Sequence, residues 1–291
     1  MLARLGDLGP EGRILDIGSS GGSFPGADVC CSVVAIDEDP GAFEGPAPPE
    51  SARRWRVLGQ AERLPVASAS IDVVVCSHSL EHFVGYGRAL DEIGRVLKPD
   101  GRLYVSVPNG YALCDAIYRW VYEGGGHVNR FRRDDAIRQI ETRAGVRLAE
   151  WKKLYSSFTY LHSGRRVGRL PLPDLPARLK RMARLPHVVA AAAHHGLYVG
   201  TRLLDRALGT GLALYGWAFW FDRGAGPAIE LPADINVCMY CGAGHPPESA
   251  QRPGRLAWIC ASCQARNRFW FSWKGQTLPH PAELGPNRTR L

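Results

Sequence analysis

Arg13–Asp37, RILDIGSSGGSFPGADVCCSVVAID, is the stretch whose reading decides the fold. It opens with the apolar run Ile14-Leu15-Asp16-Ile17, the length of a buried strand. A glycine-rich turn follows, Gly18-Ser19-Ser20-Gly21-Gly22, and then a second apolar run, Val33-Val34-Ala35-Ile36, which ends in Asp37. Strand, glycine turn, strand and acid is the arrangement of a nucleotide-binding α/β sheet. Glycines let a ligand approach the backbone, and an acid at the end of the second strand accepts hydrogen bonds from both ribose hydroxyls. The turn reads D-x-G-x-x-G-G, so it lacks the G-x-G-x-x-G fingerprint of dinucleotide binders.

Three further blocks follow in order. They are Leu58-Gly59-Gln60-Ala61-Glu62-Arg63-Leu64-Pro65, then Ile71-Asp72-Val73-Val74-Val75-Cys76-Ser77-His78-Ser79-Leu80-Glu81-His82, then Leu90-Asp91-Glu92-Ile93-Gly94-Arg95-Val96-Leu97-Lys98-Pro99-Asp100-Gly101-Arg102-Leu103. With Leu15-Asp16-Ile17-Gly18, these four blocks resemble the class I S-adenosylmethionine-dependent methyltransferases, in particular the type 11-like domain. The resemblance covers roughly residues 12–160. It implies a Rossmann-like sheet with helices on both faces and S-adenosyl-L-methionine as the cofactor. It also implies that Asp16, Gly18, Ser20 and Gly22 line the methionine and ribose side, and that Asp37 holds the ribose hydroxyls. Gln60 stands where the family often has an Asp contacting the adenine amino group. Ala61 and Glu62 flank the adenine. Ser77 and His78 follow the fourth strand, where backbone groups meet the methionine end.

Along the chain, Trp55–Gly59 reads as a third strand and Ile71–Ser77 as a fourth. Gly87–Leu97 reads as a helix with Ala89, Leu90, Ile93, Val96 and Leu97 on one face. Lys98–Gly101 reads as a turn, Arg102–Val107 as a fifth strand, Tyr111–Tyr122 and Asp134–Thr142 as helices, and Arg147–Tyr155 as a late strand. Pro25 and Gly26 predict a loop or a very short helix after the glycine turn. His82, then His127, are the candidate general bases for the acceptor's proton, with Tyr111 behind them. Asp72 reads as structural.

Beyond the core the composition changes. Residues 1–163 hold 19 Lys/Arg against 21 Asp/Glu, whereas residues 164–223 hold 10 against 3, so the basic character belongs to the appendages. Residues 164–232 read as a basic and apolar helical insert or lid. The alternative is an interfacial segment on an anionic membrane surface, with Tyr215, Trp217, Phe219, Trp220 and Phe221 at headgroup level. The run Ala207–Phe221 is 15 residues, short of the roughly 20 that span a bilayer.

Cys238 and Cys241 form one C-x-x-C pair and Cys260 and Cys263 another, with 18 residues between the pairs. This is the spacing of a four-cysteine zinc ribbon over 233–275, with Zn2+ in a structural role because no coordination position stays open. Cys30, Cys31, Cys76 and Cys114 read as ordinary thiols, so no disulfide framework is expected. Residues 276–291 read as a disordered tail. No secretory leader is evident at the N-terminus, which predicts a cytoplasmic protein, peripheral to a membrane in the interfacial alternative.

The expected organisation is therefore a catalytic domain over 1–163, the insert over 164–232, the ribbon and the tail. The expected activity is methyl transfer to a small-molecule, lipid-linked or glycan-linked acceptor, with oxygen favoured as the acceptor atom. An RNA methyltransferase using the ribbon and basic insert to hold nucleic acid is one alternative, and a non-catalytic scaffold is another. Ser77-His78-Ser79-Leu80 stands where an N-P-P-Y-type motif would serve base-amine chemistry, which argues against the RNA alternative.

Overall fold

The structure is a computed structural model. It describes residues 8–19, 30–43, 53–121, 126–155, 187–208 and 210–224, with Leu5, Ser23 and the short pieces 236–237, 244–245, 251–254, 257–259, 264 and 266–268. Ser20, Gly22, the four cysteines of the C-x-x-C pairs, the stretch 156–186 and the tail 276–291 lie outside the described residues. The chain divides into two compact units. One comprises Met1–Pro108, Gly126–Trp151 and Trp217–Ile229, and the other the remaining segments.

Seven strands form one sheet. They are β1 (Arg13–Ile17), β2 (Ser32–Asp37), β3 (Arg54–Leu58), β4 (Ile71–Ser77), β5 (Leu97–Pro108), β6 (Arg147–Tyr155) and β7 (Leu214–Asp222), in the spatial order β3-β2-β1-β4-β5-β7-β6. The pairings β1–β2, β2–β3, β1–β4 and β4–β5 are parallel. The order reverses between β1 and β4, which puts a crevice beyond their C-terminal ends, the usual ligand position in an open α/β sheet. β7 runs against β5: Arg223 N donates to Gly101 O at 3.1 Å and Asn109 N donates to Tyr215 O at 2.6 Å.

The central strands are buried on both faces, as their unbroken apolar runs require. Ile14, Leu15, Val73, Val74 and Val75 are all fully buried. Against them lies a cluster of Leu5, Cys31, Val33 and Trp220, with Leu8 and Tyr104 at its margin. Asp72 is structural, as expected: its carboxylate accepts Arg13 N at 2.9 Å and Lys98 Nζ at 2.7 Å, joining the starts of β1, β4 and β5.

Helix α1 (Tyr86–Val96) buries Ala89, Leu90, Ile93, Gly94 and Val96, the face the spacing predicts. Helix α2 spans Leu113–Val121, α3 spans Arg133–Ala144 and α4 spans His187–Leu208. The turn expected at Lys98–Gly101 is instead the irregular start of β5. Ile71 pairs with Leu97, and the register shifts before Val73 pairs with Arg102.

The apolar stretch ending at Phe221 is not helical throughout. Residues 214–222 are β7, inserted between β5 and β6. Trp217, Phe219, Trp220 and Phe221 are buried at 6 % exposure or less, so these rings belong to the protein core and not to a headgroup layer. A strand buried on both faces carries no polar alternation, which is why its sequence resembles that of a buried helix. Among the described residues no helix is long and apolar enough to cross a membrane.

Gly94 is a point of backbone contact between α1 and α3. A Cβ there would lie 2.8 Å from Ala144 O and 3.0 Å from Ala144 Cα. Alanine raises intrinsic helix stability by about 1 kcal/mol over glycine, but two backbones cannot yield as side chains do, and overpacking costs about 1–3 kcal/mol. Gly94→Ala is therefore expected to lower the thermal unfolding midpoint by several degrees. A rise would show that the helix pair separates without cost.

Candidate active site at the sheet reversal

The site is built from the loops that leave β1, β2, β3 and β4, with the segment 126–129 beside them. β1 ends at Gly18, whose φ of +63° is left-handed and suits glycine. Space enforces the same choice, because a Cβ on Gly18 would fall 2.6 Å from Ser79 Cβ. The Ser79 hydroxyl lies 3.0 Å from Gly18 O and 3.1 Å from Ser77 O, which fastens the end of β1 to the end of β4. Gly18 N and Ser19 N both donate to Ile36 O, at 2.8 and 3.3 Å, which fastens β1 to the end of β2.

Asp16 is buried at 2 % exposure. Its carboxylate accepts Ser23 N at 2.9 Å and Ser23 Oγ at 2.5 Å. Burial still dominates, raising its pKa from 3.8 to about 6, with the neighbouring Asp37 pushing the same way and the Ser23 bonds opposing. Asp37, half-buried, accepts Asp39 N on Oδ1 at 3.1 Å, and its carbonyl accepts Gly59 N at 3.0 Å. Two carboxylates thus end two adjacent parallel strands, which is an environment for a cationic or hydroxyl-bearing ligand.

Gln60 is exposed and Ala61 is buried. Glu62 accepts Gly85 N on Oε1 at 3.0 Å, so this carboxylate also holds the residue that precedes α1, a tertiary role its sequence position did not disclose. The loop they occupy is pinned to α1. Arg95 donates to Val66 O at 2.8 Å and Leu64 O at 3.0 Å while pairing with Glu92 at 2.7 Å. Glu92 in turn accepts Leu64 N at 2.8 Å, and the Arg95 hydrogen bond holds its carboxyl below the usual range.

After β4, Ser77 Oγ lies 3.2 Å from Ser106 Oγ, and His78 N donates to Ser106 O at 2.9 Å. His78 holds a left-handed φ of +52°, a conformation that non-glycine residues adopt mainly where the surroundings impose it. Cys76 is fully buried, and burial pushes its thiol well above the ordinary range, so it contributes packing.

His82 and His127 come together. Their ring centroids are 4.9 Å apart, edge to face. His82 Nδ1 lies 3.0 Å from Gly126 O, which fixes the proton on Nδ1 and leaves the Nε2 lone pair free in the neutral ring. Partial desolvation holds His82 below its usual pKa; Glu81 opposes this and His127 adds to it. His127 is 9 % exposed and Glu81 only 1 %. Asn129 joins the two segments, its Nδ2 donating to Leu80 O at 3.1 Å and Phe83 O at 2.7 Å and its backbone N to Glu81 O at 3.0 Å. Ser79, Glu81, Ser106 and Asn129 are thus site-building residues that sequence reading did not single out. Glu81 carried a signal, a carboxylate next to an apolar block, but its burial did not show. Tyr111 belongs to the other compact unit.

Residues 15–105 match the family described as "Methyltransferase domain", a segment that contains every strand end just described. The chain carries a methyltransferase domain. Over 193 residues it is 30% identical to the malonyl-[acyl-carrier protein] O-methyltransferase of Methylococcus capsulatus, an overlap of 64% of this chain and 66% of that protein. Over 175 residues it is 31% identical to the biotin biosynthesis bifunctional protein BioHC of Cellvibrio japonicus, covering 58% of this chain and 33% of that protein. The chain therefore spans between a third and just under two thirds of the length of these relatives. In fold it is similar to a candidate sarcosine dimethylglycine methyltransferase of Galdieria sulphuraria, with a TM-score of 0.51 at 15% identity over 79% of this chain and 83% of that one. The Rossmann-like methyltransferase sheet expected from the sequence is the sheet observed.

The raised pKa of Asp16 makes stability depend on pH. The unfolded carboxyl ionises near pH 3.8 and the folded one near 6, so the folded state binds more protons between these values. Stability present below about pH 4 is therefore lost as the pH rises to about 6, by on the order of 3 kcal/mol. Asp16→Asn is expected to flatten this window in urea unfolding and to leave the protein more stable at pH 7, less what the Ser23 bonds contribute. An unchanged slope between pH 4 and 6 would assign the effect elsewhere.

Proposed function

We propose that this chain is an S-adenosylmethionine-dependent methyltransferase that methylates an oxygen of a small-molecule, lipid-linked or glycan-linked acceptor. One observation carries the reading: the matched methyltransferase segment contains the sheet reversal where Asp16, Gly18 and Asp37 converge. The residues fit the cofactor's chemistry. A desolvated carboxylate at Asp16 favours a cationic ligand, and S-adenosylmethionine carries both an ammonium and a sulfonium. Gly18 lets the end of β1 approach Ser79 at the end of β4, and Asp37, the last residue of β2, would accept from ribose hydroxyls. Gln60 and Ala61 would border the adenine, with Ser20, Gly22, Ser77 and His78 at the methionine end. Glu62 would border the adenine while holding Gly85.

When bound, the cofactor supplies an activated methyl on sulfur. The protein's task is then to align the acceptor and manage its proton. His82, with its free Nε2, is the first base, and His127 shapes its environment. The O-methyltransferase relative supports oxygen as the acceptor atom.

The C-terminal pieces support a structural zinc ribbon. Asn236–Val237 pairs with Gly244–His245 around the first C-x-x-C, and Ala257–Ile259 pairs with Arg266–Arg268 around the second. The four cysteines themselves lie outside the described residues, and the C-x-x-C spacing carries the zinc proposal.

Calorimetric titration with S-adenosylmethionine and S-adenosylhomocysteine tests the proposal. Wild type is expected to bind both at micromolar concentration, and Asp37→Ala to lose the binding at least tenfold. A folded wild type that binds neither would return the chain to a scaffold role.

A further inference from the structure

We propose that Glu81, His82 and His127 form a binding site for a divalent transition-metal ion. One donor atom from each residue lies within 4.8 Å of the others. Metal–ligand bonds of about 2.0–2.2 Å place neighbouring donors about 3–3.5 Å apart, so modest side-chain rotation closes the set on an ion. Two imidazoles and one carboxylate on one side of an ion leave further positions open, the donor set of the facial triad.

The second observation is Glu81. It is 1 % exposed, and its Oε2 is buried with no hydrogen-bond partner among the described residues. A carboxylate oxygen left in this state costs free energy unless a cation or donor meets it. Its other oxygen, Oε1, is 3.6 Å from His78 Nδ1, so His78 stands behind the site as an orienting neighbour.

The surrounding bonds are those that prepare ligands. His82 directs its Nδ1–H to Gly126 O at 3.0 Å, which orients the ring and presents Nε2; metal-bound imidazoles characteristically donate their other N–H to a carbonyl or carboxylate in this way. Asn129 clamps the loop of Glu81 and His82 to the segment of His127 through three hydrogen bonds. All of these residues belong to one compact unit.

Binding of the ion stands on this geometry alone. Its use rests on the proposed function: the ion would acidify and position an acceptor hydroxyl, whose proton leaves to solvent and whose oxygen then takes the methyl as the sulfonium becomes a thioether. The ion would take over from a free imidazole the task of making the oxygen nucleophilic.

Manganese separates this site from the cysteine pairs, because soft thiolates select other metals. The full chain, stripped with chelator, is titrated with Mn2+ and the free ion followed by electron paramagnetic resonance. Wild type is expected to bind one Mn2+ per chain. Glu81→Gln and His127→Ala are expected to weaken binding at least about tenfold. Echo-modulation spectra of wild type alone are expected to show nitrogen couplings from two bound imidazoles, which keeps the test independent of whether a variant folds. No binding by wild type, equal binding by both folded variants, or bound Mn2+ without imidazole coupling would overturn the proposal. Failure to bind S-adenosylhomocysteine would overturn the methyltransferase reading and leave these outcomes unaffected.

Discussion

The contact between the Ser79 hydroxyl and the Gly18 carbonyl, 3.0 Å long, is the constraint on which the site depends. It joins the ends of β1 and β4, the two neighbouring strands between which the sheet order reverses. The approach is close enough that no side chain fits on Gly18. With Gly18 and Ser19 also bonded to Ile36 O, three strand ends are locked together before any ligand is considered. A parallel sheet leaves its C-terminal edge open at such a reversal, and here that edge carries Asp16 and Asp37.

The same edge holds charge in an unfavourable place. Asp16 is surrounded by apolar strands and accepts hydrogen bonds from Ser23, and Glu81 keeps an oxygen without a partner among the described residues. Buried carboxylates of this kind reduce stability while they have no cation. Asp16 lies at the end of β1 and Glu81 in the turn after β4, at the C-terminal edge of the sheet rather than in the body of the core. Among the described residues Glu150 Oε1 and Asp222 Oδ1 are also buried without a hydrogen-bond partner, whereas several other charged groups are paired. Asp72 has Lys98 and Arg13 N, Glu92 has Arg95, and Asp115 has Arg119 at 2.6 Å.

Rigidity around the site comes from polar clamps that are distant in sequence. Arg95 and Glu92 on α1 hold the loop after β3 at Leu64 and Val66, and Glu62 holds the amide of Gly85, just before α1, in return. Asn129 holds the turn after β4. These clamps explain why Glu92 and Arg95 of the block Leu90–Leu103 sit where they do. They fix a loop that has few apolar side chains of its own to bury, and they leave the backbone near Ala61 in a defined position.

By itself the sequence determined the beginning of the sheet. The runs Ile14–Ile17, Val33–Ile36 and Ile71–Ser77 are short, rich in β-branched residues and bounded by turn residues, which reads as buried strands. The spacing of Ala89, Leu90, Ile93 and Val96 puts them on one helix face. Gly18 was legible as a turn residue because its left-handed backbone suits glycine, and Asp16 and Asp37 were placed at strand ends by the same apolar runs. Tertiary structure alone decided two things. The aromatic run at 214–222 became β7, because a strand buried on both faces has no period to read and only the gap between β5 and β6 fixes its form. His127 was brought to Glu81 and His82 across more than forty residues by Asn129 and Gly126, contacts that depend on the folded path of the chain and leave no mark in its local pattern.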